Sequence, residues 1–358
     1  MSFITEFNQH VHDRNLEGVV KTLKTLPERT RTKLNEYSTL PPFKPTRICI
    51  ELTNRCNLNC PFCLVGQQDL QESVAHDDLN RDTGGMDMDL CRKIIKEASQ
   101  FGIQEIMLTF QGEPLMFKRQ NFIELIKLAR QHGLQPIVFT NGLLLDPAFS
   151  RAIVKAGLHA MRFSVDGMTQ DVYELNRVGG TFEKVYHNMR DMVQIVKEEG
   201  SSLQLWWQFI ALRNNEHQID EARDMAKKIG IPFIVKTFAE SIPELVPKNP
   251  EYHRKHISKT CHDIYRAMWV YWNGDVVPCC YDLDGKERLG NINENTIEEI
   301  WNGKKYKNLR KRVNEALIHP ENEPELCKGC LKYVAPEKVG IHPELAKIKS
   351  YLQQPFLK

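Results

Sequence analysis

Residues 47–63 read RICIELTNRCNLNCPFC. Arg47–Leu52 is a short run rich in β-branched and apolar residues, which predicts a β-strand. Cys56, Cys60 and Cys63 follow directly, spaced C-x3-C-x2-C. Thiolates are the usual ligands of iron–sulfur clusters, and a [4Fe–4S] cluster normally takes four of them. Three close thiolates hold three irons and leave the fourth open to a substrate or cofactor. Structural zinc wants four closed ligands, and no nearby Cys or His completes such a set. The bland alternative is a group of buried free thiols.

Beyond Leu52 apolar runs alternate with helical patterns. Strand candidates are Arg47–Leu52, Glu105–Phe110, Pro136–Thr140, Ala160–Val165, Leu203–Ala211 and Phe233–Thr237, with helices over 88–101, 119–132, 147–156, 181–198 and 216–229. Six strands with five crossovers argue for a parallel α/β architecture. Six units fall short of a full TIM barrel, so the sheet is either an open barrel or doubly wound, and periodicity alone does not choose. Residues 5–37 carry apolar positions at helical spacing, and Leu40–Pro45 forms a proline-rich connector. The stretch 240–256, rich in Pro and charge, reads as a linker. After it, Met268–Trp272 and Val276–Val277 flank Asn273-Gly274-Asp275, the pattern of a β-hairpin, and helices are expected at 296–302 and 304–317.

The 358 residues suggest about two domains at roughly 150 residues each. Net charge is +2, which excludes a strongly basic nucleic-acid binder. No apolar run is long enough to span a membrane. The N-terminus is polar from the start, without the basic and apolar regions of a secretory signal, so a reducing, cytoplasmic setting is expected. There structural disulfides are rare, and ten cysteines read as metal ligands or reactive thiols. Three lie between 56 and 63 and five between 261 and 330, with none between Cys91 and Cys261. Two separate metal sites are expected.

The segment CNLNCPFC resembles the signature of radical S-adenosylmethionine (SAM) enzymes. The resemblance continues through Gln111-Gly112-Glu113-Pro114, similar to the family's GGEP with Gln111 in place of the first glycine. It extends through Asn141 after the third strand, Ser164 and Asp166 at the end of the fourth, and Arg177 before Gly179-Gly180-Thr181-Phe182-Glu183. It implies that Cys56, Cys60 and Cys63 hold a [4Fe–4S] cluster whose open iron chelates SAM. Reductive cleavage then gives methionine and a 5′-deoxyadenosyl radical that takes hydrogen from substrate. Phe62 stands where the family places an aromatic residue beside the adenine. Glu113 suits the SAM amino group, Arg177 its carboxylate, and Gly112, Asn141, Ser164 and Asp166 complete the implied SAM contacts.

The text from Trp269 resembles the SPASM/twitch extension of the same family, which carries auxiliary clusters. The implied set is one auxiliary [4Fe–4S] cluster held by Cys261, Cys279, Cys327 and Cys330, in the shortened, twitch-like form. A four-cysteine zinc ribbon is the alternative, although Cys261 and Cys279 are too far apart for its usual pairs. Cys280 is left over, either an unpaired thiol or a hydrogen donor to a substrate radical. Cys49 and Cys91 read as core. Gln208, Lys236, Tyr281 and Asp282 are further candidates to face substrate, and of the consecutive Trp206 and Trp207 one faces each side of its strand.

The implied fold class is α/β: a partial (β/α)6 TIM-like barrel of the radical SAM type with a small C-terminal twitch/SPASM-like α+β domain. The expected organisation is a helical extension over 1–45, the core over 46–239, a linker over 240–260, the auxiliary domain over 261–335 and a tail helix over 336–358. The expected function is a radical SAM oxidoreductase, epimerase or lyase. Its substrate would be a small sugar, aminocyclitol or nucleoside-like metabolite, as in natural-product biosynthesis. The alternatives are a maturase of a ribosomally made peptide or protein, and a non-catalytic metal-binding protein. An external electron donor such as flavodoxin or ferredoxin is implied; neither nucleic acid nor membrane is expected as a partner.

Overall fold

The computed structural model describes residues 44–67, 81–238, 242–253, 261, 263–316, 324–327 and 330. Two units emerge, one from residues 46–255 and 268–300, the other including residues 261, 263–267, 301–316, 324–327 and 330. The expected N-terminal helices within 1–43 and the tail helix over 336–358 lie outside the described residues.

The first unit runs β1 (Arg47–Ile50), α1 (Met88–Phe101), β2 (Glu105–Met107), α2 (Arg119–Gln131), β3 (Gln135–Thr140) and α3 (Pro147–Ala156). It continues through β4 (Ala160–Ser164), α4 (Gln170–Asn176), α5 (Phe182–Glu198), β5 (Gln204–Ala211), α6 (Ile219–Ile229) and β6 (Phe233–Thr237). Each strand from β1 to β6 pairs in parallel with the next. The spatial order follows the chain without reversal. A doubly wound sheet would reverse at a switch point, so the open-barrel reading holds. Helices α1 and α3 start where Asp87 and Asp146 accept the amides of Asp89 and Phe149 at 2.7 and 2.8 Å, which satisfies N-terminal donors. Helix α4 was not foreseen: its seven residues are too few for a periodic signal.

The two faces of the sheet differ. On β5, Trp207 and Phe209 are fully buried, and their rings lie 5.6 and 6.0 Å from that of Phe233. Arg223 of α6 covers Phe233 at 6.0 Å, so this is the helix-covered face. Phe139, Arg162, Trp206 and Gln208 are half-buried on the opposite, inner face.

The hairpin forms as expected, but in a different place. Strands β7 (Ala267–Val270), β8 (Asp275–Val277) and β9 (Gly290–Asn291), with β8 antiparallel to both of its neighbours, extend the same sheet beyond β1, giving nine strands among the described residues. The Glu51 amide donates to the Val270 carbonyl at 2.9 Å. An open barrel leaves the β1 edge unpaired, and the hairpin satisfies it. Gly274 supplies the turn's left-handed residue at φ +89°.

Residues 242–253, within the expected linker over 240–260, make defined contacts. Ile242 and Leu245 pack with Leu212, Phe238 and Phe62, and Glu216 accepts the amides of Lys248 and Asn249 at 2.9 Å. In the second unit, Arg310 of α7 (Lys304–Glu315) is buried, donates to the carbonyls of Trp301 and Ile264, and lies over the rings of Trp301 and Tyr306 at 4.3 and 4.4 Å. Burial pushes its guanidinium down to about 10. No helix among the described residues is long and apolar enough to cross a membrane.

Candidate active site

The cysteine loop leaves β1 at the C-terminal edge of the parallel strands, where α/β folds bind ligands. Cys60 is buried, and Cys56 and Cys63 are half-buried. The loop is held by backbone contacts: the Asn59 amide donates to the Val178 carbonyl at 3.0 Å, and the Cys63 amide to that of Cys60 at 3.0 Å. Arg177 joins it to the sheet. Its Nε donates to Asp166 Oδ2 at 2.7 Å, and its Nη1 approaches Cys60 Sγ at 3.7 Å. Asp166 has no exposure and also accepts the Ile210 amide at 2.6 Å. The Arg177 guanidinium lies 5.5 Å from the Phe62 ring centroid. Thus Asp166 and Arg177, expected as SAM contacts, are committed to each other and to Cys60.

The motif after β2 is tied to the same loop. The Glu113 amide donates to the Arg55 carbonyl at 2.8 Å. Glu113 Oε1 accepts from Thr140 Oγ1 at 2.6 Å and the Leu115 amide at 3.1 Å, and Oε2 accepts the Asn141 amide at 2.8 Å. A carboxylate offers about four lone-pair positions, so one remains, on Oε2. Burial raises the Glu113 carboxyl above its ordinary range, and the hydrogen bonds oppose that. Asn141 Nδ2 donates to Asn57 Oδ1 at 2.9 Å, inside the cysteine loop.

Gly112 sits at φ +69°, and a Cβ there would stand 2.4 Å from the Thr53 carbonyl oxygen and 2.7 Å from that of Arg55. Gly112→Ala should therefore lower stability by about 1–3 kcal/mol and displace the cysteine loop. A urea titration reads the first effect and iron content after reconstitution the second. An unchanged urea midpoint would refute the clash.

Gln111, the departure from the family pattern, is buried, with its Oε1 accepting from Arg81 at 3.2 Å. Arg81 also makes two bonds to the fully buried Glu51, at 2.8 and 3.0 Å, and lies 3.6 Å over the Tyr271 ring. Sequence reasoning missed this pair, although an acid inside the apolar run RICIEL is a signal for a buried partner.

The loop suits a cluster by its chemistry. Burial pushes the Cys56 thiol up to about 12 and the Cys60 thiol up to about 11. Such thiols are poor nucleophiles, and a metal must displace their protons on binding. Arg177 offers the positive charge that a bound thiolate at Cys60 needs. Among the described residues no three Cys, His, Asp or Glu side chains could hold a single metal ion, and thiolates serving separate irons stand wider apart than such a shell.

Of the remaining predicted residues, Ser164 ends β4 opposite Gln208 of β5. Cys261, Cys327 and Cys330 belong to the second unit and Cys279 and Cys280 to the first; all five are half-buried. Burial pushes Cys261 up to about 12, with Asp263 and Cys330 adding to the shift.

A profile of the radical SAM superfamily matches residues 50–205, and one of an iron–sulfur cluster-binding domain, SPASM, matches 261–331. The chain belongs to the radical SAM superfamily. As a radical SAM protein with a SPASM domain, it takes the family's cofactors: a [4Fe–4S] cluster with SAM, and an auxiliary cluster. PqqA peptide cyclase of Gluconobacter oxydans is 26% identical over 324 residues, covering 81% of this chain and 83% of that one. A probable GTP 3′,8-cyclase of Methanococcus maripaludis is 23% identical over 290 residues, 79% of each chain. Among solved structures, Streptococcus suis SuiB bound to S-adenosylmethionine superposes with a TM-score of 0.60 at 15% identity, covering 86% of this chain and 78% of its own. BtrN in complex with AdoMet and 2-DOIA superposes at 0.51 with 19% identity, covering 83% and 97%. At these identities the superpositions show the fold.

Proposed function

We propose that this radical SAM enzyme abstracts hydrogen from a small metabolite seated on the inner face of the open barrel. The supporting observation is the chain from Asp166 through Arg177 to Cys60, which fixes the cysteine loop at the C-terminal edge of the sheet. In this reading Cys56, Cys60 and Cys63 ligate the first cluster, and Cys261, Cys279, Cys327 and Cys330 the auxiliary one. When bound, the cluster and SAM supply reductive cleavage and a hydrogen-abstracting radical. Glu113, oriented by Thr140, Asn141 and Leu115, would hold the SAM ammonium through its remaining Oε2 lone pair. Gly112 lets the strand edge approach the loop, and Phe62, Asn141 and Ser164 line the nucleoside side. Arg177 holds charge and position at Cys60 rather than pairing with the SAM carboxylate. Cys280 donates hydrogen where the reaction is an epimerisation; for an oxidation, an auxiliary cluster held by Cys261, Cys279, Cys327 and Cys330 would supply an electron acceptor. A peptide substrate is the second reading, favoured by the likeness to the peptide cyclase.

The test is anaerobic reconstitution followed by reduction with dithionite and an assay of 5′-deoxyadenosine. Low-mass metabolites and peptides from the source cells are supplied as separate fractions. Stimulation by the low-mass fraction is expected. Stimulation by the peptide fraction alone would overturn the small-molecule reading, and no SAM cleavage would overturn the enzyme assignment. Cys280→Ala should block turnover of an epimerised substrate and spare SAM cleavage; unchanged product would remove the donor role.

A further inference from the structure

The inner face of the barrel carries a cation that the site described above leaves unused. Arg162 stands in the middle of β4, opposite Phe139 of β3 on one side and Trp206 of β5 on the other. Its guanidinium carbon lies 4.5 Å from the Phe139 ring centroid and 6.0 Å from that of Trp206. Both rings flank the guanidinium within cation–π range. One edge reaches Gln208 Oε1 at a long 3.3 Å. The Nε is buried and has no hydrogen-bond partner. No carboxylate pairs with Arg162 among the described residues, whereas Arg47, Arg81 and Arg177 each have one. A half-buried cation without an anion is costly to keep.

A second cation shares this face. Lys236 of β6 is opposite Ile210 of β5, whose neighbour two residues earlier is Gln208. Lys236 also has no acidic partner among the described residues. Lys236 is exposed, yet partial desolvation, and after it the charge of Arg162, holds its amine below the ordinary range. Burial and then Arg47 do the same to Arg162. Arg162 precedes Ser164 by one pleat, so it lies deeper in the barrel than the strand ends.

We propose that Arg162 and Lys236 form an oxyanion subsite on the inner face, which takes a carboxylate or phosphate group of the substrate. The inference rests on the reading that substrate occupies the barrel interior. The guanidinium of Arg162, its buried Nε excepted, offers charge-assisted N–H donors that a carboxylate or phosphate oxygen accepts. Lys236 adds a point charge to the same group. Phe139 and Trp206 keep the guanidinium in place and offer apolar surface to the body of the ligand.

The test uses reconstituted full-length protein and two probes, phenyl phosphate and phenylacetate, with binding read by anaerobic calorimetry and thermal melting. At least one probe should bind the wild type and raise its melting temperature; the preferred probe tells phosphate from carboxylate. Arg162→Met should weaken that binding by at least about tenfold, and Lys236→Met should weaken it less. In buffer free of the probes, Arg162→Met should melt no lower than wild type, because it removes an unpaired charge. That result also shows that the variant folds. Binding should be as tight with SAM present as without it. No binding of either probe, equal binding by Arg162→Met, or competition with SAM would overturn the proposal. 5′-Deoxyadenosine formed by the same wild-type preparation reports on the enzyme reading separately: its absence with intact probe binding sinks that reading and leaves the subsite standing.

Discussion

Arg177→Met should cost about 3–5 kcal/mol of stability, among the largest losses expected from a single residue here. Its guanidinium is paired with Asp166 at 2.7 Å, and Asp166 has no exposure. The substitution keeps bulk and removes charge, leaving a buried carboxylate whose main remaining partner is the Ile210 amide. Burial already raises Asp166, and Arg177 is the first of the groups opposing that. Without Arg177 its folded value rises further above that of the unfolded chain. A carboxyl raised on folding favours the folded state below its unfolded value and loses that contribution as pH climbs through the folded value. The destabilisation should therefore grow from mildly acid to neutral pH. Urea midpoints at several pH values read this, and Arg177→Met/Asp166→Asn should recover part of the loss and most of the pH dependence. A midpoint equal to wild type at neutral pH would show that the pair does not anchor the loop.

Cys60→Ala should have the largest effect on activity. A chain with both cubane clusters carries about eight irons, and loss of the first leaves about four. Formation of 5′-deoxyadenosine should fall to background, because Cys60 is the most buried of the three loop cysteines and the one beside Arg177. Cys91→Ala is the matched comparison, a core thiol with no exposure on α1. It should keep its iron and its SAM cleavage while losing some stability. Iron analysis and product chromatography on the same preparations decide the matter. Full iron content in Cys60→Ala would mean that the loop is not a cluster site.

Much of the fold was legible because its signals are local. Residues 88–101 and 147–156 carry helical periodicity with an acidic cap before each, and they form α1 and α3 with those bounds. The six parallel strands were visible as apolar runs: β6 has the expected bounds, β3 and β5 differ by one residue at their starts, and β1, β2 and β4 end one to three residues sooner, where the chain leaves the sheet toward the site. The hairpin was readable from Asn273-Gly274, yet its position was not. Which edge it covers depends on β1, more than 200 residues earlier, being left open by the barrel.

The site divides the same way. Sequence by itself determined the residue types and spacings that chemistry demands: three thiols on one loop, Gly112-Glu113 at a strand end, and a second cysteine group near the C-terminus. Spacing along a chain is a local property, and metal and cofactor binding constrain it directly. Tertiary structure alone decided how the charges are shared. Arg177 reached Asp166 and Cys60, and Arg81 reached Glu51 and the face of Tyr271. Arg162 was left between two rings without an anion. Whether a charge is paired, buried or free depends on strand register among segments far apart in the chain, and burial turns the same side chain from a solvated charge into an anchor or a vacant binding group.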